Sequence, residues 1–510
     1  MKCLNKVLSC LAALQLAMTA TPMPTQAATE WVRVGWRGDL NGDDTITVAD
    51  IVMLQKHITL QETINPEIAS KADINENASI DAVDLTLIKR CVMQQMEWVG
   101  IYEEVEIPDI SEEFLTPPIA QVGSSLPSAN LGNLVIFYID FPDCSFGNKL
   151  SAEEVDRVAF GAADTTSPNY PFESMSAFYE RSSKGSFRLS GKTFAYTAQN
   201  SISVYNDDKV RIVEECYEAF KDSEDFTKYD ANNDGKIDAT LICVPESASN
   251  DYWWPCSGGF GDPSYRVDGL AVGNIITGYA VPSNPVDFNS TYIHEMGHCM
   301  GLPDYYLYYS NDSEGMHGSA GTEMMDTDAQ SDFSAFSKLM LGWYRKDQVQ
   351  VYDATQGKQT FTLHNAQTDA GNCLIIPYGN LNENYFSEYM ILEYGTDGGN
   401  NQMIQSSWWQ TIDSGICAFH INAELFSDYG GSYLKYQNGS YYTDYNDEGI
   451  RLIRLVNDGG GVFKSGAVID NSTPGFGWYD SNGNEAIDPG VTITIGDVTN
   501  DSYTVTVSPK

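Results

Sequence analysis

The sequence predicts a multidomain chain: a small all-α module near the front, an α+β domain through the middle, and a β-rich domain at the end. Three observations carry this. Two similar Asp/Asn-rich loops, each followed by a helical stretch, fall within residues 31–97. Residues 131–346 mix apolar runs of strand length with segments of helical period. Residues 347–510 alternate polar and apolar positions between Gly/Asn/Asp turns, as in Val491-Thr492-Ile493-Thr494-Ile495 and Tyr503-Thr504-Val505-Thr506-Val507. The 510 residues are 42% hydrophobic, ordinary for a globular protein and enough for a sizeable core.

Charge narrows the partners. Seventy acidic residues against 29 basic ones leave a net charge of −41. Such a surface repels nucleic acid and anionic membranes. It suits a soluble extracellular protein, and one that holds several calcium ions through carboxylate oxygens. Residues 1–28 read as a secretory signal peptide: Lys2 and Lys6 are the charged part, Val7 to Ala20 the apolar run, and Ala27-Ala28 the small residues for cleavage. No other run is apolar enough to span a membrane. Of the ten cysteines, eight lie beyond this leader without CxxC pairing, so a disulfide scaffold is not expected.

The front loops have calcium spacing. The first places Asp39, Asn41, Asp43, Thr45 and Asp50 at positions one, three, five, seven and twelve; the second places Asp73, Asn75, Asn77, Ser79 and Asp84 there. Odd positions of a tight loop turn inward, and the carbonyl at position seven completes an oxygen shell. Asx-rich turns that merely cap helices are the alternative, but two in tandem, followed by helices over Ile51–His57 and Leu85–Val92, favour two calcium ions. Over about residues 36–95 the pair resembles a dockerin, the calcium-dependent module that plugs enzymes into cohesin domains of scaffold proteins. The resemblance implies cohesin contact through Val48, Ala49, Ala82 and Val83, and a cellulosome-like extracellular assembly of an anaerobic bacterium. The usual Gly at position six is Asp44 in one loop and Ala78 in the other. Residues 98–130, acidic and Pro/Ser-bearing, read as a linker or pro-segment.

The strongest chemistry lies in Tyr292-Ile293-His294-Glu295-Met296-Gly297-His298-Cys299-Met300-Gly301-Leu302-Pro303-Asp304. On a helix, histidines four apart project from one face and can grip one zinc ion. Glu295 sits beside them as the candidate catalytic base. Gly301 can end the helix in a left-handed turn and return the chain so that Asp304 reaches the same metal. Three protein ligands leave a fourth position for water, as catalytic sites do. His317 and Glu323 compete with Asp304 for the third place, and a Tyr or His after residue 301 is expected as a second electrophile.

This extended motif resembles metzincin-like zinc peptidases, and more specifically the immune inhibitor A-like metallopeptidases. The matching segments are Gly301-Leu302-Pro303-Asp304-Tyr305-Tyr306, Gly321-Thr322-Glu323-Met324-Met325-Asp326, Ser334-Ala335-Phe336-Ser337-Lys338 and Leu341-Gly342-Trp343, within about residues 130–425. The resemblance implies a zincin fold for residues 131–346, a methionine turn at Met325 beneath the metal, and endopeptidase activity on proteins or peptides. Thr322 departs from the family's usual Trp. An inactive dockerin-borne binding or structural protein is the competing reading, and zinc hydrolysis of a non-peptide bond is another. Asp230, Asn232, Asp234 and Asp238 have calcium-like spacing without a ligand at position twelve, Leu241. Asp480, Asn482, Asn484 and Asp488 repeat that pattern more weakly, and His420 is expected to pack in the C-terminal sheet.

Overall fold

The computed structural model describes residues 29–42, 45–65, 68–75, 77–93, 95–96, 98, 100–106, 113–248, 252–306, 323–326, 330–403, 414–428, 431–434, 450–456, 461–499 and 501–510. The expected leader, Asp43, Asp44, His317, Gly321 and Thr322 lie outside them. The chain forms two compact units, Met1–Asp109 and Ile110–Lys510.

In the first unit, β1 (Thr29–Trp36) pairs antiparallel with β2 (Gly100–Glu106), and between them run α1 (Val48–Ile58), the short α2 (Ala69–Ala72) and α3 (Ala82–Val92). The long helices start three residues earlier than the hydrophobic pattern predicts. Their caps explain this. Thr47 and Asp81 accept the N–H of Ala49 and Val83, while Asp50 and Asp84, in the third helical position, return to the cap's own N–H. Leu54, Ile88 and Cys91 bury the inner faces. The all-α expectation therefore omits the closing ribbon, which brings the two ends of the unit side by side.

Residues 98–130 are not one linker. Gly100–Glu106 closes the first unit as β2, whereas residues 113–130 are built into the second. There Leu115 N–H donates to the Tyr344 carbonyl at 2.9 Å, and Ile119 and Leu126 are buried in the core.

The second unit begins with a five-stranded sheet in the order β4 (Phe187–Thr197), β3 (Asn130–Asp140), β5 (Lys236–Cys243), β7 (Ala271–Gly278), β6 (Cys256–Gly259). The first four strands are parallel and β6 is antiparallel on the edge. The run Leu134–Ile139 is buried on both faces, as an interior parallel strand requires. Leu134, Ile136 and Tyr138 face one core with α4 (Ala152–Phe160), α5 (Met175–Ser182) and α7 (Pro285–Cys299); Val135, Phe137 and Ile139 face a second with α6 (Lys209–Phe220).

After α8 (Ala335–Met340) the chain builds two further sheets. One has the order β15 (Ile453–Leu455), β12 (Gly415–Asn422), β11 (Glu388–Gly395), β10 (Cys373–Pro377), β8 (Val349–Val351). The other has the order β16 (Val468–Ile469), β19 (Val491–Thr499), β20 (Ser502–Pro509), β9 (Gln359–His364). Hairpins β13 (Leu425–Asp428) with β14 (Gly431–Leu434), and β17 (Trp478–Tyr479) with β18 (Glu485–Ile487), flank them. Alternation along β11 divides the packing: Tyr389 and Ile391 join the core of α7, while Met390 and Leu392 join the core of the outer sheet. No structural break falls at residue 346, because the inner sheet shares its core with the helices before it. The whole is a β-rich mixed α/β body. Its eight described cysteines, among them six buried ones, are free thiols.

His420 lies on β12, fully buried, with Nε2 2.9 Å from Glu388 and Nδ1 3.2 Å from Glu485. Burial alone would lower its pKa, but the two carboxylates raise it. It belongs to the C-terminal packing.

Candidate metal centre

Helix α7 carries Pro285 at its start, where a missing N–H costs nothing. Its residues from Phe288 to Cys299 are almost all buried. The end is a Schellman turn: Leu302 N–H bonds the Gly297 carbonyl at 3.0 Å and Gly301 N–H the His298 carbonyl at 2.9 Å. Gly301 sits at φ +103°, which side chains rarely adopt, and a β-carbon there would lie 3.1 Å from Ile119. The turn sends the chain back along the helix and delivers Asp304 to its histidine face.

Three side chains converge. His294 Nε2 is 3.0 Å and His298 Nε2 3.3 Å from the same oxygen of Asp304. The three candidate ligand atoms lie within 4.8 Å of one another, the one such grouping among the described residues. Both imidazoles are oriented from behind: Nδ1 of His294 donates to the Met324 carbonyl and Nδ1 of His298 to the Leu302 carbonyl, each at 2.8 Å. Carbonyls only accept, so each Nδ1 carries a proton and each Nε2 is the ring nitrogen that faces the centre. Two ring nitrogens and a carboxylate oxygen suit a transition-metal ion.

Electrostatics agree with that donor set. Burial alone would lower the His294 pKa, but the Asp304 hydrogen bond and the charges of Glu295 and Asp304 push it up to about 10. Burial alone would raise Asp304, yet the two imidazoles hold it far below the usual carboxylate range. Glu295 is 6% exposed, and its charge also acts on His298. The His298 side chain keeps 20% of its surface exposed, against 6% for that of His294. Tyr306 stacks beside His294 with ring centroids 6.4 Å apart.

The floor of the centre is the segment Glu323–Asp326. Met325 is fully buried under α7, and a β-carbon on Gly297 would collide with its sulfur and come within 3.0 Å of its methyl carbon. Glu323, weighed from sequence as a third ligand, turns away from the histidines. Its carboxylate accepts from the N–H groups of Met325 and Ser334 and from the Ser334 and Ser337 hydroxyls. Burial pushes its pKa up to about 7. The roles of Gly297, Ser337 and the Leu302 and Met324 carbonyls were not read from sequence. A glycine inside a buried helix, costly by propensity, was the one available signal.

In the front module, Asp50 Oδ1 accepts from Leu40 N–H at 2.9 Å and Asp84 Oδ1 from Ile74 N–H at 2.9 Å, so both loops close alike. Asp39, Asp50 and Asp84 are buried. Asp73 receives the N–H groups of Asn77 and Ala78, and Ala78 takes φ +63° in the place of the missing glycine. Val48, Ala49, Ala82 and Val83 are all exposed, Val48 to 63% and Val83 to 51%. In the body, Asp230 likewise accepts from Asp234 and Gly235 N–H at 3.0 Å, and Asp238 from Asn133 and Ala231 N–H. Asn232 accepts from Asp234 N–H at 3.1 Å. Asp480 receives the N–H groups of Asn482 and Asn484.

Among known families, residues 37–93 match the dockerin type I domain. The chain therefore carries a dockerin domain joined to a β-rich mixed α/β body. No curated protein matches it.

Proposed function

We propose that the chain is a secreted zinc-dependent endopeptidase, carried by its dockerin to a cohesin-bearing extracellular assembly. The observation that carries the catalytic half is the convergence of His294 Nε2, His298 Nε2 and Asp304 on one point, with both Nδ1 atoms tied to carbonyls. These three residues would hold one zinc ion. Zinc at such a site supplies Lewis acidity, which activates water and polarises a peptide carbonyl.

The chain's own groups do the rest. Glu295, next to both ligands and largely shielded from solvent, accepts the proton of the attacking water and passes it to the leaving amine. Asp304 balances charge, and Met325 fills the space beneath. The second electrophile expected after residue 301 is assigned in this reading to Tyr306, whose ring stacks beside His294. The dockerin half rests on the family match and the paired loops. Calcium would be held by Asp39, Asn41, Asp43, the Thr45 position and Asp50 in one loop, and by Asp73, Asn75, Asn77, the Ser79 position and Asp84 in the other. Exposed Val48, Ala49, Ala82 and Val83 then face the cohesin.

The test is zinc content with casein hydrolysis, on the full chain and on Glu295→Ala. We expect about one zinc per chain in both, and hydrolysis reduced at least about a hundredfold in the variant. A native protein without zinc ends this reading. Zinc without hydrolysis in the native protein favours a dockerin-borne binding protein that keeps the site.

A further inference from the structure

We propose that Glu323 is a positioning residue that acts on His294 through a single peptide group. The peptide between Met324 and Met325 is gripped at both ends. Its N–H donates to Glu323 Oε2, and its carbonyl accepts from His294 Nδ1 at 2.8 Å. In a trans peptide these two groups point in opposite directions, so the carboxylate, the peptide and the imidazole stand in line. A carboxylate on the N–H draws the peptide dipole toward itself and makes the carbonyl a stronger acceptor. The stronger that acceptor, the more firmly the His294 tautomer is held and the more basic its Nε2 becomes.

The burial and geometry of the carboxylate suit this role. Glu323, Met324 and Met325 are all shielded from water at 0%, 1% and 0% exposure, so the charge is little screened. Glu323 Oε1 is held by Ser334 N–H at 3.1 Å and by the Ser337 hydroxyl at 2.5 Å, which leaves Oε2 aimed at the peptide. Ser337 in turn lies 2.9 Å from the hydroxyl of Tyr305, the residue after Asp304.

The second histidine provides an internal control. His298 Nδ1 also bonds a carbonyl, that of Leu302, but the next residue is Pro303. That peptide has no N–H for a carboxylate to grip. The two ligands therefore differ: His294 answers to Glu323, and His298 does not.

This rests on reading the centre as a zinc site, and the test separates the two claims. The full chain is labelled on histidine ring nitrogens, of which only six residues need assignment. Ring Nδ1–H resonances and zinc affinity are compared for the native protein, Glu323→Gln and Ser337→Ala. Above about pH 8, where Glu323 is ionised, Glu323→Gln removes the charge at nearly constant shape. It is expected to move the His294 Nδ1–H resonance, leave His298 in place, and weaken zinc about tenfold, the lower end for loss of an outer-shell partner. Ser337→Ala loses one hydrogen bond to the same carboxylate, but Ser334 N–H and hydroxyl still hold Oε1 and leave Oε2 on the peptide, so its zinc affinity stays within about twofold of native and its His294 resonance stays near the native one. An unmoved His294 in Glu323→Gln, or an equal shift in Ser337→Ala, overturns the proposal. If the native protein takes no zinc, the reading of the site fails while the ring resonances still decide this one. If Glu323→Gln does not fold, the Met325 amide of the native protein decides: slow exchange and a far-downfield shift support the contact, and exchange at the rate of an open loop refutes it.

Discussion

In the loop from Asp73 to Asp84, every candidate cation-facing group comes from one unbroken stretch, and its carboxylates are organised by N–H groups of that same stretch. In the body, His294 and His298 come from a helix, Asp304 from the turn after it, and the carbonyl that orients His294 from Met324. The two arrangements differ in what holds them without a cation. The front loop crowds acidic groups in the smaller of the two units, so binding and folding are expected to be coupled. The body centre stands on a continuous core of α7, Met325, Phe333 and Trp343, with two carbonyls holding its imidazoles, and is expected to keep its shape without a cation. Losing a ligand should therefore cost the body its metal, and the front module both a cation and part of its stability.

The largest expected effect tests the body. Asp304→Ala leaves two imidazoles and no third ligand, so zinc should weaken by more than about a hundredfold, beyond what loss of an outer-shell group causes. Peptidase activity should fall with it, while the far-ultraviolet dichroism stays native. Competition against a chromogenic chelator reads the affinity. Native-like affinity would show that another group, His317 for instance, supplies the third ligand.

How much of this was legible depended on whether the chemistry is local. Calcium spacing, the histidine pair, the Gly301 turn and its delivery of Asp304 all lie within short windows, where helix geometry and turn sterics tie spacing to position. The core strand Leu134–Ile139 and the β-rich end were legible from apolar runs and alternation. What was not legible came from contacts distant in sequence. Nothing in residues 113–130 announces that Ile119 packs beneath Gly301, or that Leu115 pairs with Tyr344. The inner sheet's two-sided burial, which joins residues 347–510 to helices α7 and α8, is equally invisible, since Tyr389 and Met390 read alike as apolar. Glu323 could be read as an acid near a methionine turn, but which way it faces is set by Ser334 and Ser337.

A middle-sized effect tests the front module. Asp50 is at once a proposed calcium ligand, the third-position acid of the α1 cap, and the acceptor for Leu40 and Asn41 N–H. Asp50→Ala should remove about 1 kcal/mol of capping and about 1–3 kcal/mol for each N–H left buried. Calorimetric calcium titration of the full chain should then show one binding event instead of two, with zinc content and casein hydrolysis unchanged. Two undiminished events would mean that calcium is not held at this loop's twelfth position.

The smallest effect concerns Ala78, where the second loop takes its sharp turn without glycine. At φ +63° an alanine carries roughly 1–2 kcal/mol of steric strain that glycine would not. Ala78→Gly relieves that strain and keeps the 2.7 Å bond from the residue 78 N–H to Asp73. The gain is opposed by the freer unfolded chain, worth about 0.4–1 kcal/mol. The difference leaves about 0.5 kcal/mol in favour of the ordered loop, or roughly twofold tighter calcium at the second site. The sign is informative because the two terms belong to different states. Tighter binding, read by calorimetry on the full chain, means that the strain sits in the folded loop and the cation works against it. Weaker binding means that the Asp73 hydrogen bond holds Ala78 in place before calcium arrives. The front loop would then be preformed as the body centre is, and the contrast between the two would lie in sequence locality alone.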